Sequence, residues 1–238
     1  MSHFPFEMRP WTRRDLLAPL WYHIKPVMQI DVVFPILILI SSVILHEVAH
    51  GYMANWLGDP TARLAGRLTL NPLSHIDPMG SILLPGLLAL THSPIMIGYA
   101  KPVPYNPHYL SGKYDEAMVA GAGPATNFAL AILFGVLIRF GATAMPPTLL
   151  TAFATIVLIN LVLGFFNLIP IPPLDGSKVF SALLPGRLGQ MYDHFRANFE
   201  RLGVLSGTIL MILVLYMFQP YFYAFVMYMF GLLTGAIG

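Results

Sequence analysis

Long apolar runs are the feature that most constrains the fold of this chain. Residues 32–45 (VVFPILILISSVIL) are almost uninterrupted by polar side chains, and residues 117–138 and 149–169 form two further runs. A helix needs about 20 mostly apolar residues to cross the hydrocarbon core of a bilayer. Helix-compatible sequence continues from the first run to about Leu57, where the Gly-Asp-Pro tripeptide at 58–60 stops it. The runs predict three membrane-spanning helices.

Three other apolar stretches are harder to assign. Residues 202–218 and 221–237 are separated by Gln219 and Pro220, and we expect two short spans there. The alternative is one kinked helix, which would overshoot the hydrocarbon core by about 20 Å. Residues 81–99 are apolar but are interrupted by Pro85, Gly86, His92, Ser93 and Pro94, so hydropathy alone leaves open whether they cross the membrane.

Composition agrees with a chain solvated largely by lipid. Hydrophobic residues make up 56% and charged residues 10% of the sequence, whereas a soluble domain carries about 25% charged residues. The net charge of +2 is too small to indicate a nucleic-acid partner. Because the chain has no cysteine, a metal would have to be held by His, Asp or Glu. We therefore expect an all-α, multi-span membrane helix bundle, with the lipid bilayer as its surroundings.

Three ionisable residues lie at the end of the first apolar run. His46 and His50 are four positions apart, so a helix places both imidazoles on one face, where they can bind one metal ion. Glu47, beside them, is placed to take a proton from a water at that ion. The alternative is ordinary interfacial residues at a helix end. Polar groups in a bilayer are costly, about 3 kcal/mol for a central charge, and a metal would compensate that cost.

Asp175 is the best candidate for a third ligand. It follows the proline-rich sequence at 167–174, which breaks the end of the third span, and broken backbone at membrane depth is tolerated only where it is buried or lines a cavity. His75, Asp77 and His194 are weaker candidates, because each lies in a stretch polar enough to be a solvated loop.

These motifs resemble those of the site-2 proteases, zinc metallopeptidases that cut within the membrane. Members combine HExxH with a distant Asn-x-x-Pro…Leu-Asp-Gly motif whose aspartate is the third zinc ligand. The sequence matches both motifs with His46, Glu47, His50, Asn167, Pro170, Leu174, Asp175 and Gly176. It also matches a middle motif, Gly-x-x-x-Asn, at Gly123 and Asn127. The likeness is greatest to compact bacterial members without a PDZ or CBS domain.

The resemblance implies a single membrane-embedded metalloprotease domain over residues 1–238. Its catalytic core would cover about residues 32–180. The C-terminal membrane spans would cover residues 202–237. It would bind one Zn²⁺ per chain through His46, His50 and Asp175. Glu47 would be the general base in hydrolysing peptide bonds in or near transmembrane segments of membrane-protein substrates.

The resemblance also suggests substrate-binding residues. It favours substrate or oxyanion contacts for Asn127 and Asn167, although helix–helix hydrogen bonding is an equal alternative on the residues alone. Residues 66–72 resemble a re-entrant hairpin of family members. The alternation at Leu68, Thr69 and Leu70 would suit an edge that pairs with an extended substrate, and a solvated turn is the alternative.

The predicted ligands meet only if the ambiguous segment at 81–99 does not cross the membrane, so we expect it to be re-entrant or membrane-lying. The side carrying the metal then holds eight of the basic residues and the opposite side five. The positive-inside rule places the active site nearer the cytoplasmic side of a multi-pass cell-membrane protein.

Two other functional classes fit part of the pattern. In a transporter or channel, His46, Glu47, His50 and Asp175 would bind an ion in transit, but the paired broken helices of repeated halves are absent from the sequence. An inactive scaffold that binds zinc without cutting would not need Glu47.

Overall fold

The structure is a computed structural model that describes residues 33–77, 101–201 and 204–236, together with Leu83 and Leu90. Over these residues the chain is helical. The helices are α1 (Val33–Trp56), α2 (Thr61–Leu64), α3 (Asp115–Gly141), α4 (Pro147–Asn167), α5 (Asp175–Leu183), α6 (Gly186–Arg201) and α7 (Val204–Thr234).

In the described part of the chain, three helical segments are long and apolar enough to cross a membrane. They are α1 with 24 residues, Asp115–Ala144 with 30 and α4 with 21, and their mean hydropathies are 1.9, 1.7 and 2.4. Large apolar side chains on their outer faces are exposed, including Leu37 of α1 and Leu133 of α3, as expected for helices surrounded by lipid. The prediction of a multi-span helical protein is confirmed at this level.

The C-terminal region differs from the prediction of two short spans. Val204–Thr234 is one helix of 31 residues with Pro220 inside it. Proline removes one backbone hydrogen bond and disfavours a straight helix, but it does not have to end one. At 1.5 Å per residue the helix is about 46 Å long, more than the roughly 30 Å of hydrocarbon.

Helix α3 lies at the centre of the bundle and packs against α1, α4, α5 and α7. Its C-terminal half joins α4 and α7 in an apolar core. The buried members of this core are Ala131, Ile138, Val157, Leu161, Val226 and Phe230. The N-terminal half of α3 faces α1 and α5 instead, and there the buried side chains become small or polar. The predicted metal ligands His46 and His50 contact that half, at Asn127 and Val119.

The predicted hairpin at 66–72 is not seen, since the described residues contain no β-strand. The segment leaves α2 through Gly66, whose φ of +66° favours glycine, and runs irregularly to a 3₁₀ turn at Pro72–His75. The predicted re-entrant course of residues 81–99 lies outside the described residues, apart from Leu83 and Leu90.

Candidate metal centre

His46 and His50 lie one turn apart on α1 and face the interior of the bundle. The i, i+4 spacing of the sequence brings their rings within 4.6 Å of each other, centroid to centroid. Their Nε2 atoms are 3.0 Å apart. The side chains are 7% and 11% exposed, so both imidazoles are largely removed from solvent.

Asp175 reaches the two histidines from a different part of the chain. Helix α4 ends at Asn167, a proline-rich turn reverses the direction, and Asp175 is the first residue of α5. Its Oδ2 lies 3.1 Å from Nε2 of His46 and 3.3 Å from Nε2 of His50. A helix N-terminus favours a negative charge, so the carboxylate is well placed to be ionised.

The three donor atoms fit a zinc ion. They form a triangle with sides of 3.0, 3.1 and 3.3 Å. Ligands about 2.0–2.1 Å from a tetrahedral zinc lie about 3.3 Å from one another, so the triangle has the size of one face of that tetrahedron. No other group of three or more metal-binding side chains converges in this way in the described part of the chain.

The hydrogen bonds made by Nδ1 of each imidazole explain why the two Nε2 atoms point toward each other. Nδ1 of His46 lies 2.6 Å from Oδ1 of Asn127, and Nδ1 of His50 lies 2.6 Å from the carbonyl oxygen of Val119. Both partners are acceptors, so each Nδ1 carries a proton and a neutral ring presents the lone pair of Nε2 inward. Two lone pairs and a carboxylate oxygen then face one another, and a cation is the partner that this donor set lacks.

Two glycines of the motifs allow the close approach of these elements. A Cβ on Gly123 of α3 would lie 2.6 Å from Nε2 of His46 and would also collide with the ring of His50. A Cβ on Gly176 would meet the backbone of Leu168 and Ile169 in the turn before Asp175. A larger residue would therefore clash at either position. Gly123 leaves room for the metal site, and Gly176 leaves room for the turn that precedes Asp175.

Glu47 is held by a backbone amide. Its Oε2 accepts a hydrogen bond of 3.0 Å from the N–H of Val103. Prolines at 102 and 104 flank this valine, so Val103 carries the sole N–H among the three residues, and Pro104 restricts it to extended backbone. Val103 is buried, and its side chain and that of Leu68 both pack over Gly51, the residue after His50.

The structure places the other candidates as follows. Asn127 is fully buried and both ends of its amide are bonded to protein groups. Asn167 donates to the Leu163 carbonyl of its own helix. His75 is buried with Nε2 bonded to the Thr69 carbonyl, and the metal-binding group includes neither it nor Asp77 nor His194.

Sequence reasoning missed Val103, Asn160 and Ser42. Asn160 and Ser42 continue the hydrogen-bond chain beyond Asn127. An unpaired amide within an apolar span is a signal that could have identified Asn160, because buried polar groups in a membrane require partners. Nothing in the local sequence distinguishes Ser42.

Comparisons with known proteins agree with this geometry. The family model of peptidase family M50 matches residues 141–214. YwhC of Bacillus subtilis, named as a zinc metalloprotease, is 39% identical over 160 residues, which are 63% of this chain and 68% of that protein. Rip2 of Mycolicibacterium smegmatis, named likewise, is 30% identical over 85% of this chain and 73% of its own length.

A more distant relative is the zinc metalloprotease MJ0392 of Methanocaldococcus jannaschii, which is 26% identical over 75% of this chain and 45% of that protein. No solved structure matches the chain. The likeness to YwhC and Rip2 extends over two thirds or more of those proteins. The chain therefore belongs to peptidase family M50, the site-2 protease family, and is a zinc metalloprotease.

Proposed function

We propose that this chain hydrolyses peptide bonds in or near the transmembrane segments of membrane-protein substrates. In this proposal His46, His50 and Asp175 hold one zinc ion and Glu47 is the general base. The observation that carries it is the convergence of three largely buried donor atoms within 3.3 Å of one another, among helices of membrane length. A metal site held among such helices would act on substrates that lie in the bilayer.

Zinc, when bound, lowers the pKa of a coordinated water towards about 7 and polarises the scissile carbonyl. The chain supplies the proton transfer. Oε2 of Glu47 is fixed by the Val103 N–H, and Oε1 has no hydrogen-bond partner among the described residues. The fixed carboxylate can therefore take a proton on its free oxygen and return it to the leaving amine.

A helical substrate must be unwound before its amide can be attacked, and residues 68–70 are suited to hold the extended strand. In the described structure, the backbone N–H groups of Leu68 and Leu70 have no hydrogen-bond partner. The Leu68 side chain packs over Gly51, next to His50, so the segment lies against the metal-binding turn of α1. We propose that Leu68, Thr69 and Leu70 pair with substrate backbone.

The two asparagines have different prospects as substrate contacts. Oδ1 of Asn167 has no partner in the described structure while its Nδ2 is bonded, so this oxygen could accept a hydrogen bond from substrate. The oxygen and the NH₂ group of the Asn127 amide each have a protein partner already. For Asn127 the contacts favour orientation of His46, and substrate contact stays a prediction from the sequence.

Basic residues favour a cytoplasmic orientation of this site in the cell membrane. Lys113, which precedes α3, and Arg187, in the first turn of α6, belong to the more basic side, and Ala144 belongs to the other. Single cysteines at Lys113 and Arg187 should react with an impermeant thiol reagent from the same side, and a cysteine at Ala144 from the other. Opposite labelling of Lys113 and Arg187 would contradict both the topology and Asp175 as a ligand.

Proteolysis is tested with purified protein in liposomes that also contain a library of single-span substrates. The wild type should produce cuts that mass spectrometry maps in or near the spans. Glu47→Gln should lose cleavage by about 10²–10⁴-fold, because general-base catalysis is removed, while zinc stays bound. Equal cleavage by wild type and Glu47→Gln would refute the assigned base, and cuts confined to soluble loops would refute intramembrane cleavage.

The substrate edge has its own test. Leu68→Pro removes an N–H that has no hydrogen-bond partner among the described residues, whereas Leu68→Val keeps this N–H, an apolar side chain and a preference for extended backbone. We expect the proline variant to lose most cleavage while binding zinc normally, and the valine variant to stay near wild type. Equal activity of the two at equal zinc content would mean that the segment is only a turn.

A further inference from the structure

A chain of buried hydrogen bonds connects His46 to helix α4. Oδ1 of Asn127 lies 2.6 Å from Nδ1 of His46, and Nδ2 of Asn127 donates to Oδ1 of Asn160 at 2.9 Å. Nδ2 of Asn160 in turn donates to Oγ of Ser42 at 3.0 Å. Both asparagines are 0% exposed and Ser42 is 3% exposed, so water does not compete for these bonds.

The direction of this chain is fixed at its far end. Nδ2 of Asn160 also donates to the backbone carbonyl of Ile156, at 2.9 Å. A carbonyl can only accept, so the amide of Asn160 has one permitted orientation, with its NH₂ toward Ile156 and its oxygen toward Asn127. That oxygen can only accept from Asn127, which fixes the second amide in turn.

The orientation of the Asn127 amide also determines which nitrogen of His46 is protonated. Since Nδ2 of Asn127 is committed to Asn160, its Oδ1 must face His46, and an amide oxygen can only accept a hydrogen bond. Nδ1 of His46 therefore holds the proton, and the lone pair of Nε2 points at the metal site. His50 reaches the same state directly, because its Nδ1 faces the Val119 carbonyl. The Val119 carbonyl thus orients the imidazole of His50 directly. The Ile156 carbonyl orients that of His46 through the side-chain amides of Asn160 and Asn127.

We propose that Asn160 is a positioning residue that sets the tautomer of His46 through Asn127. The hydrogen bond from Asn160 to Ser42 of α1 would help to hold Asn160 in place. The inference rests on the proposed role of His46 as a zinc ligand. Without Asn160 the Asn127 amide loses the partner that fixes its orientation. A flipped amide would turn its NH₂ toward Nδ1, and the imidazole proton would then move to Nε2 and block the lone pair that zinc needs.

The test compares Asn160→Leu, which keeps the approximate volume without hydrogen bonds, with Thr155→Ala. Thr155 is a matched control because it lies on the same helix and, among the described residues, its hydroxyl bonds only the backbone of that helix. Zinc affinity is measured by competition with a chelator, and the His46 tautomer from ¹⁵N imidazole shifts in the zinc-free protein. Asn160→Leu should weaken zinc binding about 10-fold, the lower end for indirect partners of a metal ligand. It should also populate the Nε2-protonated ring, whereas Thr155→Ala should do neither.

A rescue variant separates orientation from general damage. In Asn127→Asp, both carboxylate oxygens accept, so the side chain needs no partner to select the correct end. Asn127→Asp combined with Asn160→Leu should therefore recover the Nδ1-protonated tautomer and most of the zinc affinity. If Asn160→Leu does not fold, Asn160→Ala, which only removes atoms, carries the same prediction.

Unchanged zinc affinity and tautomer in a folded Asn160 variant would overturn the proposal, as would an Asn127→Asp rescue that restores neither. The tautomer is read without zinc and without substrate. A tautomer that depends on Asn160 in a protein that cuts no membrane substrate would thus overturn the proposed function and leave this inference standing.

Discussion

The carboxylates of Asp59 and Asp175 are both largely removed from solvent, but different groups face them. Asp59 is 0% exposed, and protein donors surround it: Oδ1 accepts from the N–H and hydroxyl of Thr61, and Oδ2 accepts from the N–H of Asn106 at 2.6 Å. The Asp175 side chain is 17% exposed, and its Oδ2 faces the Nε2 atoms of His46 and His50.

The difference separates a structural carboxylate from a functional one. A buried charge is expensive unless donors or a metal compensate it. Backbone N–H groups and the Thr61 hydroxyl compensate the charge of Asp59, which joins the loop after α1 to Asn106. Asp175 meets two rings whose Nδ1 protons are used elsewhere, and a cation bound to the two Nε2 atoms and the carboxylate would compensate its charge.

The largest expected effect follows from removing the negative charge at one site or the other. Asp175→Asn should weaken zinc binding by more than about 100-fold, because it removes a direct ligand and indirect partners alone account for 10–100-fold. Asp59→Asn should leave zinc affinity within about twofold of wild type. Chelator competition measures both. Equal zinc affinity in the two variants would show that the carboxylates do not differ as their surroundings indicate.

A second prediction uses two glycines of α3 that are two residues apart. Gly123→Ala would place a methyl group 2.6 Å from Nε2 of His46, so we expect zinc affinity and cleavage to fall by about 10–100-fold. Gly121→Ala is the matched control, because its Cβ would meet only Val179, at 3.9 Å. Zinc content and cleavage rate are measured for both. A Gly123→Ala variant indistinguishable from Gly121→Ala would mean that α3 does not limit the metal site.

The three long helices and the pairing of His46 with His50 on one helix face could be predicted from the sequence, because hydropathy and i, i+4 spacing are local properties. Asp175 was identifiable because prolines marked broken backbone at membrane depth. Asn160 and Ser42 are different. They are 118 residues apart and meet only because α1 and α4 pack together. Their role depends on tertiary contact, and a single sequence without packing information does not reveal it.

The prediction for α7 was wrong for a related reason. Local rules treat Pro220 as a break, and membrane thickness argues against a helix of 31 residues, yet the helix continues through the proline. The described part of α7 after Pro220 packs on α3 and α4 through Val226 and Phe230. Such contacts outweigh a local propensity, and the sequence around residue 220 does not contain them.

A third prediction concerns stability. Asparagine at position 59 can accept on one side only, and its NH₂ would face either the Thr61 N–H or the Asn106 N–H, each of which now donates to Asp59. Asp59→Asn should therefore lower the free energy of unfolding by about 1–3 kcal/mol, the cost of a buried donor without a partner. Thermal unfolding in detergent measures this. Wild-type stability with normal zinc binding would mean that the loop adapts to the lost acceptor.

The smallest effect is the pH dependence of that stability difference. Burial raises the pKa of Asp59, but the hydrogen bonds from Thr61 and Asn106 outweigh burial and hold the pKa below its ordinary value of 3.8. A carboxyl whose pKa is lowered by folding stabilises the protein at pH values above 3.8, and that contribution is lost as the pH falls from 3.8 toward the folded-state pKa. The difference in unfolding free energy between wild type and Asp59→Asn should thus be constant from pH 7 to about 5 and shrink below about 4. The comparison is made on zinc-free protein, so that release of the metal in acid does not contribute. Since an asparagine side chain does not titrate and the other carboxyls are common to both proteins, the changing difference reports Asp59 alone. A difference that stays constant down to pH 3 would show that the charge of Asp59 contributes nothing to folding, and that the loop is held by shape and neutral hydrogen bonds.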